Sequence, residues 1–416
     1  MAVNETPSAL MHHRRLSRRG LLLVGSSGAL AALLPACAGQ PPTPTAAPKA
    51  AEPTKPAAAA PTAAPTAAAA ATPTAAAKPA EATKPAATAA ATAAPPAATA
   101  APAAGKPLRV GLVTDVGKVD DKSFNQSAWE GVQQAQKDGV ASEIKFIETT
   151  DPKDYAKNIG QFGDAGYEVI VTVGFALGEE TVKSAKKYQA AKFIGVDQFQ
   201  AEVVPNVAGL IFDEDKAGYL AGALAALMSK SGTIGAVLGT DAVPPVWRFG
   251  EGYRVGAQAV RPDIKINIVY HNDVGFDKTF TDPEWGKTTA QSMIAKGADV
   301  IFGAGGKTGN GALIGCAEKN VMAIGVDTDQ YYTVPEAQKV LLSSAMKLIT
   351  PGVANLIKSV KDGTFKGGNV TGEVGLAPFH DFETKVPAEV KAKLAEIDKG
   401  LKAGTIKTNV APAKPK

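Results

Sequence analysis

The sequence predicts an α/β protein with two lobes, each a mostly parallel sheet covered by helices on both faces. The first observation is a repeat: Phe193–Gln198 has the sequence F-I-G-V-D-Q, and Ala323–Gln330 has A-I-G-V-D-T-D-Q. Glycine-rich segments at Gly166–Gly178 and Gly297–Gly309 precede the two copies at nearly the same offset. Finally, short apolar runs alternate with helical patterns, which is typical of parallel sheets with helical crossovers.

Composition excludes several classes of protein. The chain has 416 residues, with 44 Lys and Arg against 40 Asp and Glu, so no strong basic field indicates a nucleic-acid partner. Its two cysteines, Cys37 and Cys316, are too few for a disulfide framework or a cysteine-rich metal site.

Residues 1–37 are predicted to be an export signal. Four arginines precede the apolar run Leu21–Leu34, which is short for a membrane span; they are Arg14, Arg15, Arg18 and Arg19. The segment Ser17–Leu22 resembles a twin-arginine signal, and Leu34–Cys37 resembles a bacterial lipobox. We therefore expect cleavage before Cys37, a lipid on that cysteine, and a protein anchored outside the cytoplasm. The alternatives are an uncleaved anchor and a plain secretory signal.

Residues 38–106 are expected to be a disordered tether. They are almost entirely Ala, Pro and Thr, a composition that cannot bury enough apolar surface to offset the entropy of ordering. As a flexible coil this segment would have a reach on the order of 45 Å. The folded region would thus stand clear of the membrane.

The first unit of the folded region begins at Leu108. Strands are predicted at Arg109–Thr114, Ile144–Glu148, Glu168–Val173, Lys192–Val196 and Val207–Phe212. Helices are predicted at Ser123–Lys137, Asp151–Ala165, Gly178–Tyr188 and Asp213–Ser229, with Ser123, Asp151 and Asp213 as N-caps.

The second unit repeats the pattern. Strands are predicted at Thr233–Leu238, Ile264–Tyr270, Val300–Gly303 and Met322–Val326, and helices near Arg248–Ala259, Trp285–Lys296 and Gly309–Lys319. A strand at Lys339–Ala345 and helices near Pro351–Asp362 and Pro387–Lys402 follow. We expect residues 107–213 plus about 346–405 to form lobe 1, and residues 214–345 to form lobe 2.

Two strand-end aspartates, Asp197 and Asp327, are predicted to bind ligand. Open α/β sheets bind ligands at the carboxyl ends of their strands, and an ionised carboxylate accepts hydrogen bonds from two hydroxyls. The alternative is a turn or N-cap role. Lys347, at the end of the next strand, is expected to orient Asp327 and to donate to the same ligand, although a lone lysine is more often solvated.

Aromatic side chains in both units suggest a flat ligand. Phe124 and Phe280 are each predicted to open a helix after a strand, so their rings can enclose a planar ring from opposite lobes. The alternative is that each is a core phenylalanine. Trp247, between prolines and a predicted helix, is either a wall of the pocket or a surface plug.

The helix start near Phe124 carries polar groups suited to reading the edge of such a ring. We expect Asp121 and Asn125 to read this edge, with Ser123 capping the helix.

Other motifs carry little functional weight. Gly303–Thr308, G-A-G-G-K-T, lacks the first glycine of a phosphate-binding loop. His271 and His380 lack partners at metal-ligand spacing, so no metal is expected. Neither aspartate lies in an evidently apolar setting that would indicate a glycosidase acid. Cys316 is predicted to be a small buried hydrophobe.

The folded region, from Leu108 to about Phe382, resembles the basic membrane protein family of bacterial substrate-binding lipoproteins. The resemblance rests on several segments: Asp120–Gln126 (D-D-K-S-F-N-Q), Glu130-Gly131, Gly195–Asp197, Pro245–Phe249 with Gly252, Phe280–Pro283 with Gly286, Gly325–Asp327, and Lys347. Extra residues at Asn272–Thr279 depart from the family pattern. Either Phe276 or Phe280 can therefore hold the matching aromatic position.

This resemblance implies a two-lobed periplasmic-binding-protein type I fold. It also implies a non-enzymatic protein without a cofactor, which captures a nucleoside, best a purine nucleoside, and delivers it to the membrane permease of an ABC transporter. We expect a monomer that binds no nucleic acid. The alternative functions are a binding protein for a free sugar or other polar solute and a secreted nucleoside hydrolase.

Overall fold

The computed structural model describes residues 106–416 of the chain. The predicted export signal, with Cys37, and all of the predicted tether except Lys106 lie outside the described residues and stay predictions. Within residues 106–416, no helix is both long and apolar enough to span a lipid bilayer.

The first half of the described chain builds most of lobe 1. Its elements are β1 (Leu108–Val116), α1 (Phe124–Lys137), β2 (Ala141–Thr149), α2 (Tyr155–Asp164), β3 (Val169–Val173), α3 (Gly178–Lys187), β4 (Lys192–Val196) and β5 (Val207–Phe212). Short 3-10 helices at Pro152–Asp154 and Phe175–Leu177 precede α2 and α3.

Lobe 2 begins at the next helix. Its elements are α4 (Glu214–Met228), β6 (Thr233–Leu238), α5 (Pro244–Val260), β7 (Lys265–Tyr270), α6 (Phe276–Thr279), α7 (Pro283–Ala295), β8 (Val300–Ala304), α8 (Gly306–Lys319), β9 (Met322–Asp327), α9 (Gln330–Thr333) and β10 (Leu341–Lys347). The remaining elements are α10 (Ile349–Lys361), β11 (Gly368–Gly372), β12 (Val374–Leu376) and α11 (Ala388–Ala403). Two 3-10 helices, Pro335–Val340 and His380–Phe382, complete this part of the chain.

The strands of residues 106–416 form two six-stranded sheets. The order is β11-β5-β4-β3-β1-β2 in lobe 1 and β12-β10-β9-β8-β6-β7 in lobe 2. Neighbouring strands are parallel, except that β12 is antiparallel to β10. The two orders correspond strand by strand, which the sequence repeat predicts. The predicted fold class is confirmed.

The last part of the chain alternates between the lobes, which corrects one predicted boundary. We expected residues from about 346 to 405 in lobe 1. Instead α10 packs on α1 and β11 joins the first sheet, whereas β12 joins the second sheet and α11 packs on α4 of lobe 2. The chain therefore crosses between lobes at three places: 212–214, 347–349 and 372–374.

Each sheet has an apolar core on both faces. In lobe 1, α1 and α10 cover one face, and α2 and α3 cover the other. In lobe 2, α4, α5 and α11 cover one face, and α7 and α8 cover the other. Because both faces are buried, the strands are continuous apolar runs such as V-I-V-T-V in β3, rather than alternating ones.

Glycines bring α4 and α5 close together beside the crossing from lobe 1. A side chain at Gly218 or Gly222 of α4 would collide with backbone atoms of Phe249 or Tyr253 in α5. Only glycine permits this spacing, so the helix starts at Glu214 and Pro244 are fixed relative to each other. That arrangement holds Glu214 and Arg248 side by side.

Candidate functional site

A cleft lies between the carboxyl ends of the two sheets, with about 780 Å³ of empty space when the solvent at its opening is included. Residues that line it come from both lobes. Lobe 1 supplies Asp115, Val116, Gly117, Lys118, Asp121, Phe124, Asn125, Gly174, Phe175 and Asp197. Lobe 2 supplies Val243, Pro245, Val246, Phe249, Phe276, Phe280, Thr281, Ala304, Gly305, Gly306, Lys307, Val326, Asp327 and Lys347.

Asp197 and Asp327 occupy equivalent places in the two lobes. Asp197 follows β4 and Asp327 ends β9, and both line the cleft. Each has a left-handed backbone, with φ of 60° and 64°, a conformation uncommon for residues other than glycine. Strain of this kind persists where surrounding structure enforces it, and it is concentrated at functional sites. The repeat thus places one strained, buried carboxylate on each wall.

Lys347 forms the centre of the cleft's buried charge. It is 3 % exposed, bonds to Asp197 Oδ2, and lies 3.5 Å from Glu214 Oε1. Burial alone would lower the pKa of Lys347, but Asp197 and Glu214 outweigh it, and the net shift is upward. The sequence-based expectation that Lys347 orients Asp327 directly is wrong, because its bonded partner is the aspartate of lobe 1.

Three aromatic rings enclose the same ammonium group. Lys347 Nζ lies 4.8 Å from the ring centre of Phe124, 5.1 Å from that of Phe212 and 5.9 Å from that of Phe249. Cations at these distances from aromatic rings are stabilised by the ring quadrupole. The alternative of a solvated lysine is therefore excluded.

Asp327 contacts lobe 1 through Ser123. Ser123 Oγ donates to Asp327 Oδ2 at 2.6 Å, and both side chains are buried. Burial raises the pKa of the Asp327 carboxyl, while Lys347 and the Ser123 hydroxyl act in the opposite direction. Ser123 occupies the N-cap position of α1 but its side chain makes no capping bond. The predicted capping role of this hydroxyl is thus replaced by a bond between the lobes.

Asp121 supplies the missing cap. Its carboxylate accepts hydrogen bonds from the backbone N–H groups of Ser123 at 2.9 Å, Asn125 at 2.9 Å and Gln126 at 3.1 Å. Burial raises its pKa to about 6, although these three bonds favour the charged form. Asp121 lines the cleft as expected, and its carboxylate oxygens also accept from the helix start. That it reads a ligand edge stays a prediction.

Asp115 is a cleft residue that sequence reasoning missed. It lies within β1 near the carboxyl end of that strand, beside Asn125, Asp121 and Asp197. Burial, followed by repulsion from Asp121, raises its pKa to about 8, so the carboxyl holds its proton at neutral pH. The signal was present in the sequence, since L-V-T-D ends an apolar run just as I-G-V-D does.

Asn125 presents an unused acceptor beside this acid. Its side chain is 5 % exposed and lines the cleft, and its Oδ1 atom has no hydrogen-bond partner within residues 106–416. A buried polar atom without a partner is costly unless a ligand or water satisfies it. Asp115 and Asn125 thus form a polar pair with both donor and acceptor capacity.

Aromatic side chains from both lobes line the cleft. Phe124 opens α1 and is half-buried, with one part against the lobe 1 core. Phe280 was expected to open a helix, but it follows α6 and lies two residues before the Asp282 cap of α7. Phe276 also lines the cleft, and its ring meets that of Phe280 edge to face at 5.7 Å. Phe276, one of the extra residues before Phe280, therefore forms an aromatic pair with Phe280.

Trp247 does not line the cleft, so of its two predicted roles the pocket wall is wrong. Helix α5 begins at Pro244, and the residues around Trp247 that reach the cleft are Pro245, Val246 and Phe249. Side chains three and four apart share a helix face, and Trp247 lies off that face. Its indole is half-buried, and its Nε1 atom lacks a partner among the described residues.

Glu214 and Arg248 extend the buried charge toward the crossing between the lobes. Arg248 donates to Phe212 O at 2.9 Å and pairs with Asp215, while its Nη1 lies 3.0 Å from Glu214 Oε2 without hydrogen-bond alignment. Burial raises the pKa of Glu214 to about 7 against the opposing effect of Lys347. Sequence reasoning missed Glu214, whose position after a predicted N-cap resembles an ordinary first-turn acid.

Residues 106–416 contain no cluster of three or more His, Cys, Asp and Glu placed to hold a metal ion. His380 pairs with Asp329 at 2.7 Å, and His271 stacks on Trp285 at 3.9 Å. Cys316 is buried in the lobe 2 core, as predicted.

Comparison with known proteins assigns the family. Residues 108–376 match the family described as "ABC transporter substrate-binding protein PnrA-like". An ABC transporter nucleoside-binding protein of Lactococcus lactis is 32 % identical over 280 residues, which cover 63 % of this chain and 78 % of that protein. An uncharacterized lipoprotein of Pyrococcus horikoshii is 30 % identical over 279 residues, covering 64 % and 67 %.

A solved structure agrees with this result. An ABC transporter solute-binding protein of Aeropyrum pernix has a TM-score of 0.65 and 27 % identity, over 72 % of this chain and 93 % of that one. The two-lobed fold, the cleft at the sheet ends and the family match agree, and the chain belongs to the PnrA-like family of ABC transporter substrate-binding proteins.

Proposed function

We propose that this substrate-binding protein captures a nucleoside, preferably a purine nucleoside, in the cleft between its lobes. One observation carries the proposal: a single cleft combines Phe124 and Asp197 of lobe 1 with Phe280, Asp327 and Lys347 of lobe 2. Aromatic faces suit a flat base, and fixed carboxylates suit the adjacent hydroxyls of a ribose. The nucleoside-binding relative in Lactococcus lactis supports the same ligand class.

The ribose hydroxyls are bound by the two strand-end aspartates. Asp197 Oδ1 is buried and has no partner in the described part of the chain, while its Oδ2 holds Lys347. A hydroxyl donor satisfies that oxygen, which otherwise carries the penalty of an unpaired buried acceptor. Asp327 faces the sugar from the opposite lobe with Ser123 fixing one of its oxygens.

The base lies between Phe124 and the pair formed by Phe276 and Phe280. Its polar edge meets Asn125 and Asp115, of which Asp115 donates in its protonated form and Asn125 Oδ1 accepts. Pyrimidines offer less ring area for stacking than purines do, which supports a preference for purines.

Capture proceeds by closure of the lobes, since the ligand bridges side chains from both and selects the closed state. The closed protein, a monomer anchored through lipid on Cys37, then presents the nucleoside to the membrane permease of an ABC transporter. The family match supports a permease partner and a site of action outside the cytoplasm. The lipoprotein relative in Pyrococcus horikoshii supports the anchor.

Native mass spectrometry of protein purified without added ligand tests the ligand class, followed by calorimetry with adenosine, guanosine, inosine and ribose. We expect a bound mass equal to a purine nucleoside and tight binding of at least one of the three nucleosides. Binding of ribose alone would replace the proposal with a sugar-binding function. Release of free base during long incubation would indicate a nucleoside hydrolase.

A further inference from the structure

Four consecutive residues of lobe 1 hold lobe 2 by polar contacts. Asp120–Ser123, here called the latch segment, connect β1 to α1. Each of the four contacts lobe 2: Lys307 Nζ to Asp120 Oδ1 at 3.1 Å, Asn310 Nδ2 to Asp121 O at 2.7 Å, Gln330 Nε2 and Thr333 Oγ1 to Lys122 O at 3.0 and 2.8 Å, and Ser123 Oγ to Asp327 Oδ2 at 2.6 Å.

The backbone of the latch segment is held in an unfavourable conformation. Lys122 has φ of 63°, in the left-handed region that residues with a side chain seldom adopt. Its carbonyl oxygen accepts two hydrogen bonds, both from lobe 2. Since strained conformations persist only where neighbouring structure fixes them, the contacts from lobe 2 help to maintain this turn.

The groups on lobe 2 are preorganised to receive the segment. Gln330 is fully buried: its Oε1 accepts from Val326 N at 2.9 Å, and its Nε2 also donates to Asn310 Oδ1 at 2.7 Å. Asn310 is 8 % exposed. Separation of the lobes would leave the Asn310 amide without its acceptor on Asp121, so these contacts favour the closed arrangement.

We propose that Asn310, Gln330 and Thr333 are positioning residues that determine affinity without touching the solute. None of the three is among the described residues that line the cleft. By stabilising the closed lobes they raise the fraction of protein in the binding-competent state, which raises apparent affinity by the same factor. The proposal rests on capture between two lobes and holds for any solute in the cleft.

Hydrogen–deuterium exchange of the ligand-free protein, stripped of solute by unfolding and refolding, tests this role. In Asn310→Ala we expect faster exchange in peptides covering residues 120–126 and 326–333. The matched control is Asn158→Ala, which removes a buried bond to Thr149 Oγ1 of 3.0 Å within lobe 1. It should leave exchange in both peptides at the wild-type rate, because it breaks no contact between lobes.

Stopped-flow measurement with inosine provides the second readout. Asn310→Ala should release inosine about tenfold faster, corresponding to its one hydrogen bond between the lobes, to Asp121 O. The association rate should stay within about twofold of wild type. Thr333→Val keeps the shape of the side chain, removes only the hydroxyl, and should accelerate release about threefold. It also provides the comparison if Asn310→Ala does not fold.

Wild-type exchange and wild-type release in both Asn310→Ala and Thr333→Val would overturn the proposal. If Asn310→Ala does not fold, wild-type behaviour of Thr333→Val alone would overturn it. Absence of inosine binding by the wild-type protein instead contradicts the nucleoside function. In that case the exchange comparison, which needs no ligand, still decides the role of the latch segment.

Discussion

Ser123 of lobe 1 donates its hydroxyl to Asp327 of lobe 2 at 2.6 Å, and both side chains are buried beside the cleft between the lobes. The same carboxylate is proposed to bind the sugar of the ligand. On this proposal Asp327 has two roles, since one oxygen bridges the lobes and the carboxylate also binds the solute. A substitution there affects closure and ligand contact together.

Asp327→Ala should weaken nucleoside binding by roughly 2–4 kcal/mol, because it leaves ribose hydroxyls and the Ser123 hydroxyl unpaired. Isothermal titration calorimetry measures the change. The matched control is Asp263→Ala, an exposed aspartate of lobe 2 that does not line the cleft. Equal affinity of Asp327→Ala and the control would refute the sugar contact.

Asp115→Asn should change how stability depends on pH. In the wild-type protein the Asp115 carboxyl keeps its proton up to about pH 8 when folded, whereas the unfolded chain loses it near the ordinary value of 3.8. The folded state therefore binds more protons than the unfolded state between these pH values, and its stability falls as pH rises. Asparagine removes this contribution.

Urea unfolding at pH 5.5 and pH 8.5 measures the effect. Relative to wild type, Asp115→Asn should gain roughly 3 kcal/mol of unfolding free energy between the two pH values. Subtraction from wild type removes the parallel contributions of Asp121 and Glu214, whose pKa values are also raised. If the unfolding free energies of Asp115→Asn and wild type differ by the same amount at both pH values, Asp115 is not protonated in the folded protein.

Lys347→Met should destabilise the protein by about 3–5 kcal/mol, because it leaves the buried carboxylate of Asp197 without its cation and Glu214 with Arg248 alone. Denaturant unfolding at pH 8 gives the value. Adding Asp197→Asn should restore part of the loss by removing the unpaired charge. A loss below about 1 kcal/mol for the single variant would mean that Lys347 is not needed to neutralise the buried carboxylates beside it.

Phe280→Ala should weaken nucleoside binding by about 1–3 kcal/mol, the range observed for stacking of a base on an aromatic ring. Trp247→Phe should leave affinity within about twofold of wild type, since Trp247 does not line the cleft. Both values come from calorimetry with the same nucleoside. A larger effect at Trp247 than at Phe280 would reverse the aromatic assignment.

The fold could be predicted from the sequence because each strand of the sheets is marked by a short, local pattern of residues. Buried parallel strands are apolar runs, and the repeat of I-G-V-D marks equivalent strand ends, so the sequence alone identifies Asp197 and Asp327 as strand-end residues. The same signal at L-V-T-D would have identified Asp115.

Which side chains pair with each other is harder to predict from the sequence, because these pairs depend on how the two lobes meet. Lys347 pairs with Asp197, and Ser123 pairs with Asp327. The partners are far apart in the sequence, and no periodic pattern of residues links them. Asp121 is a similar case: Asp and Ser are both good N-caps, and the bond from Ser123 to Asp327 decided which of them caps α1. The position of α11 on lobe 2 likewise followed from tertiary packing.

The three crossings between lobes also affect how the molecule is made. Strand β11, the outermost strand of the first sheet beside β5, and α10, which covers α1, are encoded after almost all of lobe 2. A nascent chain emerging from the ribosome cannot finish one lobe and then start the other. Both must mature together, late in synthesis, through contacts between distant parts of the chain. A product truncated before Ile349 would expose the bare edge of β5 and the uncovered face of α1, and become a target for aggregation or proteolysis.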